Sequence, residues 1–293
     1  MTDFQTFSLH QINKLPFATD EEIFHQYPGF KLGVMRCIRH YARQLLPLLK
    51  QILSLSSKHE GWILTSPAMT AQTPAAANLL CWELFDLYSE EQGTAAFKEL
   101  TLVDMQHEKD SNWTNWKDPN KPQDYAKLEF ADRVTEHEKL SQRLTQNPVF
   151  QDRPILFIND IRITGAQEQS MRQHFTDLGA KNVSWLYLIV VDPEIGKADP
   201  TIEWRINFVP FAELLHLVTQ EEIHFTAKCV QRLMSLDQSE LEQILSELPN
   251  EQRDRLLEIA TRNEFGNMPN FVKQFELLKT YQSSLTNVST TSQ

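Results

Sequence analysis

Short apolar runs alternate with amphipathic segments along the first two thirds of the chain. Strand-like runs cover residues 61–65, 97–103, 154–158 and 183–191, while apolar residues at helical spacing cover 30–55, 73–88, 128–146 and 166–178. Continuous apolar runs are typical of strands buried on both faces, which occur in parallel sheets covered by helices. The pattern therefore predicts an α/β fold with a parallel sheet.

The pattern changes near residue 210, after which helix-spaced segments follow one another without an intervening strand. We predict three parts: an α/β domain over 1–209, a helical appendage over 210–282 and a disordered Ser/Thr-rich tail over 283–293. The apolar residues of the helical part predict either a hydrophobic core or a contact between subunits. The assembly that such a contact would form is a homodimer. These apolar residues are Leu241, Ile244, Leu245, Leu248, Leu256, Leu257 and Ile259.

A long polar segment interrupts the α/β pattern between residues 105 and 125. It lacks periodicity and carries Trp113, Trp116, Lys117 and Lys121. A loop of this length inside a compact domain is usually functional or disordered. The sequence therefore predicts a functional or a disordered loop here, and the family resemblance described below implies a mobile loop over 105–125.

Composition and charge limit the class of partner. The chain has 293 residues, 28 Lys and Arg against 39 Asp and Glu, and a net charge of −11. Phosphate-backbone recognition needs a dense cationic surface, so a nucleic-acid polymer is not the expected partner. A small polyanion remains compatible with this charge if a local positive field surrounds it.

Cysteine usage and the N-terminal segment bear on location. Cys37, Cys81 and Cys229 form an odd set without CxxC or metal-ligand spacing, which is typical of a reducing compartment. The chain shows neither a secretory signal pattern nor a stretch of about 18 apolar residues. We expect a cytoplasmic protein with no membrane segment.

Candidate chemistry concentrates in residues 155–167. A buried strand ends in Asn159 and Asp160, and Thr164-Gly165 then opens a helix. Ligands of open α/β sheets lie beyond the carboxyl ends of the strands, and a helix N-terminus after a Gly turn suits a phosphate. A strand-end carboxylate can hold a sugar hydroxyl. Together these features predict a ribose 5-phosphate pocket.

The same residues resemble the signature of the type I phosphoribosyltransferases: a hydrophobic strand, two adjacent acidic residues and a Thr-Gly turn that opens a helix. Here Asn159 replaces the first acidic residue, and Gln167 replaces the Thr or Ser that usually closes the loop. The FKLG…RHYA segment and the late helical region look most like the ComF-like branch, which is often found in tellurite-resistance-type gene neighbourhoods. The resemblance covers roughly residues 30–210.

The resemblance implies a reaction and a set of site residues. Phosphoribosyl pyrophosphate would transfer ribose 5-phosphate to a nitrogen nucleophile, an unidentified base or amine, with release of pyrophosphate. Mg²⁺ would bridge pyrophosphate and ribose hydroxyls, touching Asp160 indirectly. By role, the residues are Asp160 and Asn159 (catalytic); Ile163, Thr164, Gly165, Ala166 and Gln167 (phosphate); Thr65, Ser66 and Arg162 (pyrophosphate); and Lys117 and Lys121 (lid).

Alternatives remain open at this point. The motif is also compatible with an ordinary strand-to-helix turn in which Asp160 caps a helix. A non-catalytic regulator could bind phosphoribosyl pyrophosphate or a nucleotide in the same pocket, because the loss of an acidic residue at Asn159 weakens electrostatic help to a cationic sugar. A third alternative is a protein-interaction module built on the helical tail.

Overall fold

The computed structural model describes residues 3–14, 22–55, 61–69, 72–105, 148–199 and 201–286. Within these ranges, every strand pair of the five-stranded sheet is parallel. In chain order the strands are β1 (Asp3–Ile12), β2 (Trp62–Thr65), β3 (Leu100–Leu102), β4 (Pro154–Arg162) and β5 (Asn182–Val191). Their spatial order is β1-β5-β4-β2-β3, which places β4 at the centre.

Helices cover both faces of this sheet, so the predicted α/β class is confirmed. In chain order they are α1 (Glu22–His25), α2 (Tyr27–Leu32), α3 (Met35–Leu55), α4 (Ala76–Gln92), α5 (Ala96–Glu99), α6 (Ala166–Asp177), α7 (Pro193–Ala198), α8 (Ile202–Ile206), α9 (Phe211–Thr219), α10 (Ala227–Met234), α11 (Gln238–Glu247), α12 (Asn250–Arg262) and α13 (Val272–Thr286).

Strand β4 extends beyond the predicted run. It continues to Arg162, so Asn159 and Asp160 belong to the strand itself. Successive side chains of a strand point to opposite faces of the sheet. Consistent with this alternation, Asn159 bonds to α6 on one face, whereas Asp160 bonds to α2 on the other.

The edge strand β1 was not predicted. It pairs in parallel with β5 over almost its whole length. Its sequence DFQTFSLHQI alternates imperfectly between apolar and polar residues, since Phe4 packs towards one face and Phe7 and Leu9 towards the other. A half-exposed edge strand needs no continuous apolar run, which explains why the pattern gave no strand.

The helix predicted over 30–55 is two helices. Gly33 adopts φ of +92° and ends α2, and its amide donates to the carbonyls of Gly29 and Phe30. A Cβ at Gly33 would lie 2.0 Å from the carbonyl oxygen of His224. Close approach of the C-terminal region therefore requires glycine here and breaks the helical pattern.

Two other predicted boundaries are wrong. Thr73 does not cap a helix, because α4 begins at Ala76 and the Thr73 hydroxyl accepts a bond from the Asn263 side chain at 2.8 Å. The strand predicted over 97–103 begins as helix α5 and is extended only from Leu100. In both places a tertiary contact or a short turn overrides the local pattern.

The core has one part on each face of the sheet. On one face, α6 packs Met171 and Phe175 against Phe157 and Trp185. On the other, a larger cluster joins the sheet, α3, α4 and the helices from α9 to α13. The residues predicted as core or oligomer contact mostly lie inside this cluster, which favours the core alternative. The homodimer stays a prediction.

Some predicted features lie outside the described residues. These are most of the 105–125 loop with Lys117 and Lys121, the helix over 128–146, and the last residues of the tail. The tail predicted from 283 begins inside α13, which runs to Thr286. Among the described residues, no helix combines the length and apolarity needed to cross a membrane.

His174 in the last turn of α6 makes folding sensitive to pH. Burial lowers its pKa below the ordinary value, and the charge of Asp177 opposes this only in part. As the pH falls below about 6.5, His174 therefore binds a proton more readily in the unfolded chain than in the folded chain. The free energy of unfolding consequently falls as the pH falls. We expect His174→Gln to flatten the dependence of unfolding free energy on pH below about pH 6.5. Urea titrations at several pH values measure it, and an unchanged slope would contradict the assignment.

Candidate functional site

A cavity of about 220 Å³ lies at the carboxyl end of β4. The end of that strand, the turn that follows and the start of α6 form most of its wall. Other segments contribute Lys31 from α2, Glu203 from α8 and Tyr187 from β5. Ordinary ligand pockets measure roughly 300–1,000 Å³, so this cavity suits a sugar phosphate better than a whole nucleotide.

The predicted phosphate turn lies in the cavity wall. Gly165 adopts φ of +79° and directly precedes α6, whose first amide groups have no partner within the helix. The Ala166 amide makes a long bond of 3.4 Å to the Thr164 hydroxyl. Ile163, Thr164, Gly165, Ala166 and Gln167 all line the cavity, as the sequence predicted.

Arg162 lies over this turn. Its guanidinium nitrogens Nε and Nη2 come within 3.4 and 3.5 Å of the place where a Cβ of Gly165 would be. Its Nε is 3.1 Å from Oε2 of Glu168, at an angle that does not make a hydrogen bond. No described residue accepts a hydrogen bond from the two terminal Nη groups of Arg162, which lines the cavity. Such a guanidinium is suited to a phosphate.

Glu168 forms an ion pair with the Arg162 guanidinium. Its side chain is only 4 % exposed and accepts a bond of 2.6 Å from Arg172 and one of 3.3 Å from the Tyr187 hydroxyl. Burial, followed by the charge of Glu168, raises the pKa of Tyr187, so its hydroxyl remains a donor. Glu168 could not be identified from its local sequence, because an acidic residue in the first turn of a helix usually only complements the helix dipole.

Asp160 is a buried carboxylate with one oxygen engaged. Oδ2 accepts bonds from the Lys31 ammonium and from the Tyr27 hydroxyl, the latter at 3.1 Å. No described residue donates to Oδ1, and Asp160 lines the cavity at 6 % exposure. Oδ1 is therefore an acceptor for a ligand hydroxyl. The alternative that Asp160 only caps a helix is not what the structure shows.

Lys31 is a charged group that the sequence did not point to. Its ammonium bonds to Asp160 and, at 2.9 Å, to Glu203. Burial alone lowers the pKa of Lys31, but the charges of Asp160 and Glu203 outweigh it and raise the pKa, so the ammonium stays charged. Burial and the same two carboxylates raise the pKa of Tyr27, which remains a neutral donor.

The charged side chains of the cavity wall do not give it a net positive charge. The lining has two cations, Lys31 and Arg162, and three carboxylates, Asp160, Glu168 and Glu203. Arg172, which is outside the lining, pairs with Glu168. An anionic ligand would therefore depend on individual hydrogen-bond donors rather than on the net charge of the cavity.

Asn159 is more constrained than its place in the motif suggests. Its amide nitrogen donates to Oε1 of Gln167 at 2.7 Å, and its oxygen accepts the backbone amide of Asp160 at 2.9 Å. The two residues that depart from the phosphoribosyltransferase signature thus bond to each other. Asn159 and Asp160 line the same cavity, but their side chains bond on opposite faces of the sheet.

The structure does not bring the side chains of Thr65 and Ser66 into the cavity. The Thr65 hydroxyl donates to the Val103 carbonyl at 2.7 Å, and the Ser66 hydroxyl accepts from Asn78 at 2.9 Å. Both residues are buried. Their expected role in binding pyrophosphate therefore lacks support from these side chains, because Thr65 bonds to the residue that follows β3 and Ser66 bonds to α4.

Two arginines at the start of α3 are engaged away from the cavity. Arg36 pairs with Glu221 at 2.7 Å, and Arg39 pairs with Glu222 at 2.7 Å. These pairs join α3 to the C-terminal region and lie outside the lining of the cavity. Of these three arginines, Arg36, Arg39 and Arg162, only Arg162 lines the cavity.

The residues present do not form a ready protein-held site for Mg²⁺. Asp160 and Glu203 are the carboxylates near the predicted hydroxyl position, and both bond to the Lys31 ammonium. In the part of the chain that the structure describes, no cluster of three His, Cys, Asp or Glu could hold a metal ion. Binding of Mg²⁺ together with the ligand stays a prediction.

Comparison with known proteins identifies one family. The family model described as PRTase ComF-like matches residues 4–278, which is most of the chain. No curated protein and no solved structure matches it. The match includes the helical region after residue 210, which the resemblance seen in the sequence matched only loosely.

Proposed function

Because this chain belongs to the ComF-like phosphoribosyltransferase family, we propose that its cavity binds the ribose 5-phosphate part of phosphoribosyl pyrophosphate. One observation carries the proposal. Arg162, the Gly165 turn and Asp160, whose Oδ1 accepts from no described residue, line one small cavity. A phosphate needs the first two, and a sugar hydroxyl needs the third.

In this proposal the 5-phosphate lies on the turn. The amide groups at the start of α6 and the Nη groups of Arg162 donate to its oxygens, and Glu168 keeps Arg162 in place. A ribose hydroxyl donates to Oδ1 of Asp160, while Lys31 and Tyr27 hold Oδ2. Because these contacts already exist in the fold, the ligand orders few side chains when it binds.

The activity we propose is transfer of the ribose 5-phosphate to a nitrogen nucleophile. The bond between C1 and the pyrophosphate oxygen breaks, pyrophosphate leaves with the electron pair, and the nucleophile's lone pair forms the new bond to C1. Positive charge develops on the sugar, and the carboxylate of Asp160 would stabilise it. The nucleophile loses its proton once the new bond has formed.

A second candidate is a regulator that binds the same ligand without turnover. The hydrogen bond between Asn159 and Gln167 favours it, because these two side chains occupy positions of the signature and bond to each other. It is also favoured by the ion pair that engages Asp160. Binding of phosphoribosyl pyrophosphate with no release of pyrophosphate for any nucleophile would identify this case.

Calorimetry and a turnover assay test the proposal together. Ribose 5-phosphate and phosphoribosyl pyrophosphate are titrated into the protein, and pyrophosphate release is measured with a panel of bases and amines, with and without Mg²⁺. Binding of both ligands with release for one nucleophile supports the transferase. Absence of binding to either ligand contradicts the family-based proposal.

Arg162→Lys tests the phosphate contact. Lysine keeps the charge but loses the planar pair of donors, so we expect the affinity for ribose 5-phosphate to fall by about tenfold or more. Arg172→Lys is the matched control, because Arg172 binds the same Glu168 yet does not line the cavity. Calorimetry measures both variants. Equal losses in the two would show that the effect passes through Glu168 rather than through a phosphate contact.

A further inference from the structure

Lys31 lies between two carboxylates that belong to different parts of the chain. Asp160 comes from the end of β4, and Glu203 comes from α8. Both are within bonding range of the same ammonium, and all three side chains line the cavity. Without Lys31, the two carboxylates would lose the cation that they share, and carboxylate oxygens are the ligands that divalent cations such as Mg²⁺ prefer.

The lysine is fixed at both ends. Its backbone carbonyl accepts a bond of 2.7 Å from the Thr226 hydroxyl, and two residues later Gly33 accepts the amide of His224 at 2.9 Å. At the other end, Asp160 and Glu203 hold the ammonium. The Lys31 side chain therefore loses little conformational entropy when a ligand binds.

The ammonium also retains donor capacity. It has three N–H groups, of which two serve Asp160 and Glu203. In the described part of the chain no acceptor takes the third. A phosphate or hydroxyl oxygen of a ligand in the cavity can accept it, in a charge-assisted hydrogen bond.

We propose that Lys31 is a built-in cation that takes the place of a protein-held divalent metal and makes binding of the sugar phosphate independent of Mg²⁺. The inference rests on the proposed function, because it concerns the same cavity. It assigns Lys31 two effects: it neutralises Asp160 and Glu203, and it donates to the ligand. Lys31 thus determines which cation the pocket uses.

Lys31→Met is the main test, because methionine keeps an unbranched stem and removes the charge. In EDTA we expect ribose 5-phosphate affinity to fall by about tenfold, since the cavity then carries an excess negative charge. Mg²⁺ should restore part of that loss in the variant and change the affinity of the unmodified protein by less than about twofold. Circular dichroism establishes that the variant is folded.

Mn²⁺ titration followed by electron paramagnetic resonance tests the same inference without any sugar phosphate. We expect Lys31→Met to bind Mn²⁺ and the unmodified protein not to bind it at equal concentrations. Lys31→Arg keeps a cation, and Lys31→Met with Glu203→Gln removes one carboxylate, so both should bind Mn²⁺ more weakly than Lys31→Met.

Two results would overturn the inference. One is an unmodified protein that binds ribose 5-phosphate only with Mg²⁺, and the other is an unmodified protein that binds Mn²⁺ as well as Lys31→Met does. Failure of the unmodified protein to bind ribose 5-phosphate under any condition would instead overturn the proposed function, while the Mn²⁺ comparison would still decide the role of Lys31.

Discussion

Asp160→Asn should reduce the preference of the protein for ribose 5-phosphate over inorganic phosphate by about tenfold and abolish any release of pyrophosphate. Asp160 lines the cavity and no described residue donates to its Oδ1, and a hydroxyl bonds more strongly to a charged acceptor than to an amide. Phosphate makes no use of that oxygen, so its affinity should hold or rise once a negative charge is removed. Calorimetry with both ligands and a pyrophosphate assay measure the two effects.

Folding should survive this substitution at a cost of roughly 1–3 kcal/mol in the free energy of unfolding. Lys31 keeps its bond to Glu203, and Tyr27 can donate to the amide oxygen. Asp199→Asn is the control, because Asp199 pairs with Arg205 at 2.5 Å and does not line the cavity. If the ratio of the two affinities is unchanged in Asp160→Asn, Asp160 does not bind a ribose hydroxyl.

Gly196→Ala should displace the phosphate turn although Gly196 is outside the motif. A Cβ there would lie 2.0 Å from the carbonyl oxygen of Ile163 and 2.8 Å from its carbonyl carbon. Backbone atoms cannot move aside as a flexible side chain can, so either α7 or the turn has to shift. We expect a loss of roughly 1–3 kcal/mol in unfolding free energy, of the size seen for overpacked cores, and a large loss of ribose 5-phosphate affinity.

Ala198→Gly provides the control for the same helix. Ala198 is an exposed residue of α7, and its replacement lowers helix propensity by about 1 kcal/mol without touching the turn. We expect this variant to bind ribose 5-phosphate normally. Chemical denaturation and calorimetry compare the pair, and a Gly196→Ala protein with full affinity would mean that the turn tolerates displacement.

The local pattern was enough to predict the parallel sheet and the ligand turn. Strands such as β4 and β5 are buried on both faces and therefore consist of continuous apolar residues. The motif from Asn159 to Gln167 combines a strand end, a turn and a helix start, all of which are local features. Its residues consequently line one cavity as the sequence indicated.

The partners of that motif could not be predicted in the same way. Lys31 and Glu203 reach Asp160 only because α2 and α8 pack near the end of β4. On their own segments, each is an ordinary charged residue of a short helix. Gly196 had no signal either, since a helical glycine shows its role only when the backbone it contacts is known.

The pairing of β1 with β5 has a consequence for synthesis of the chain. Residues Asp3–Ile12 are synthesised well before their partner strand, Asn182–Val191, which emerges only after the other three strands. The segment around Gly33 waits longer still for residues 222–226, which hold the backbone of Lys31. Contacts this distant in sequence slow folding. The cavity is therefore completed late, and a chain cut short before residue 222 would contain Lys31 and the motif without the residues that hold Lys31 in place.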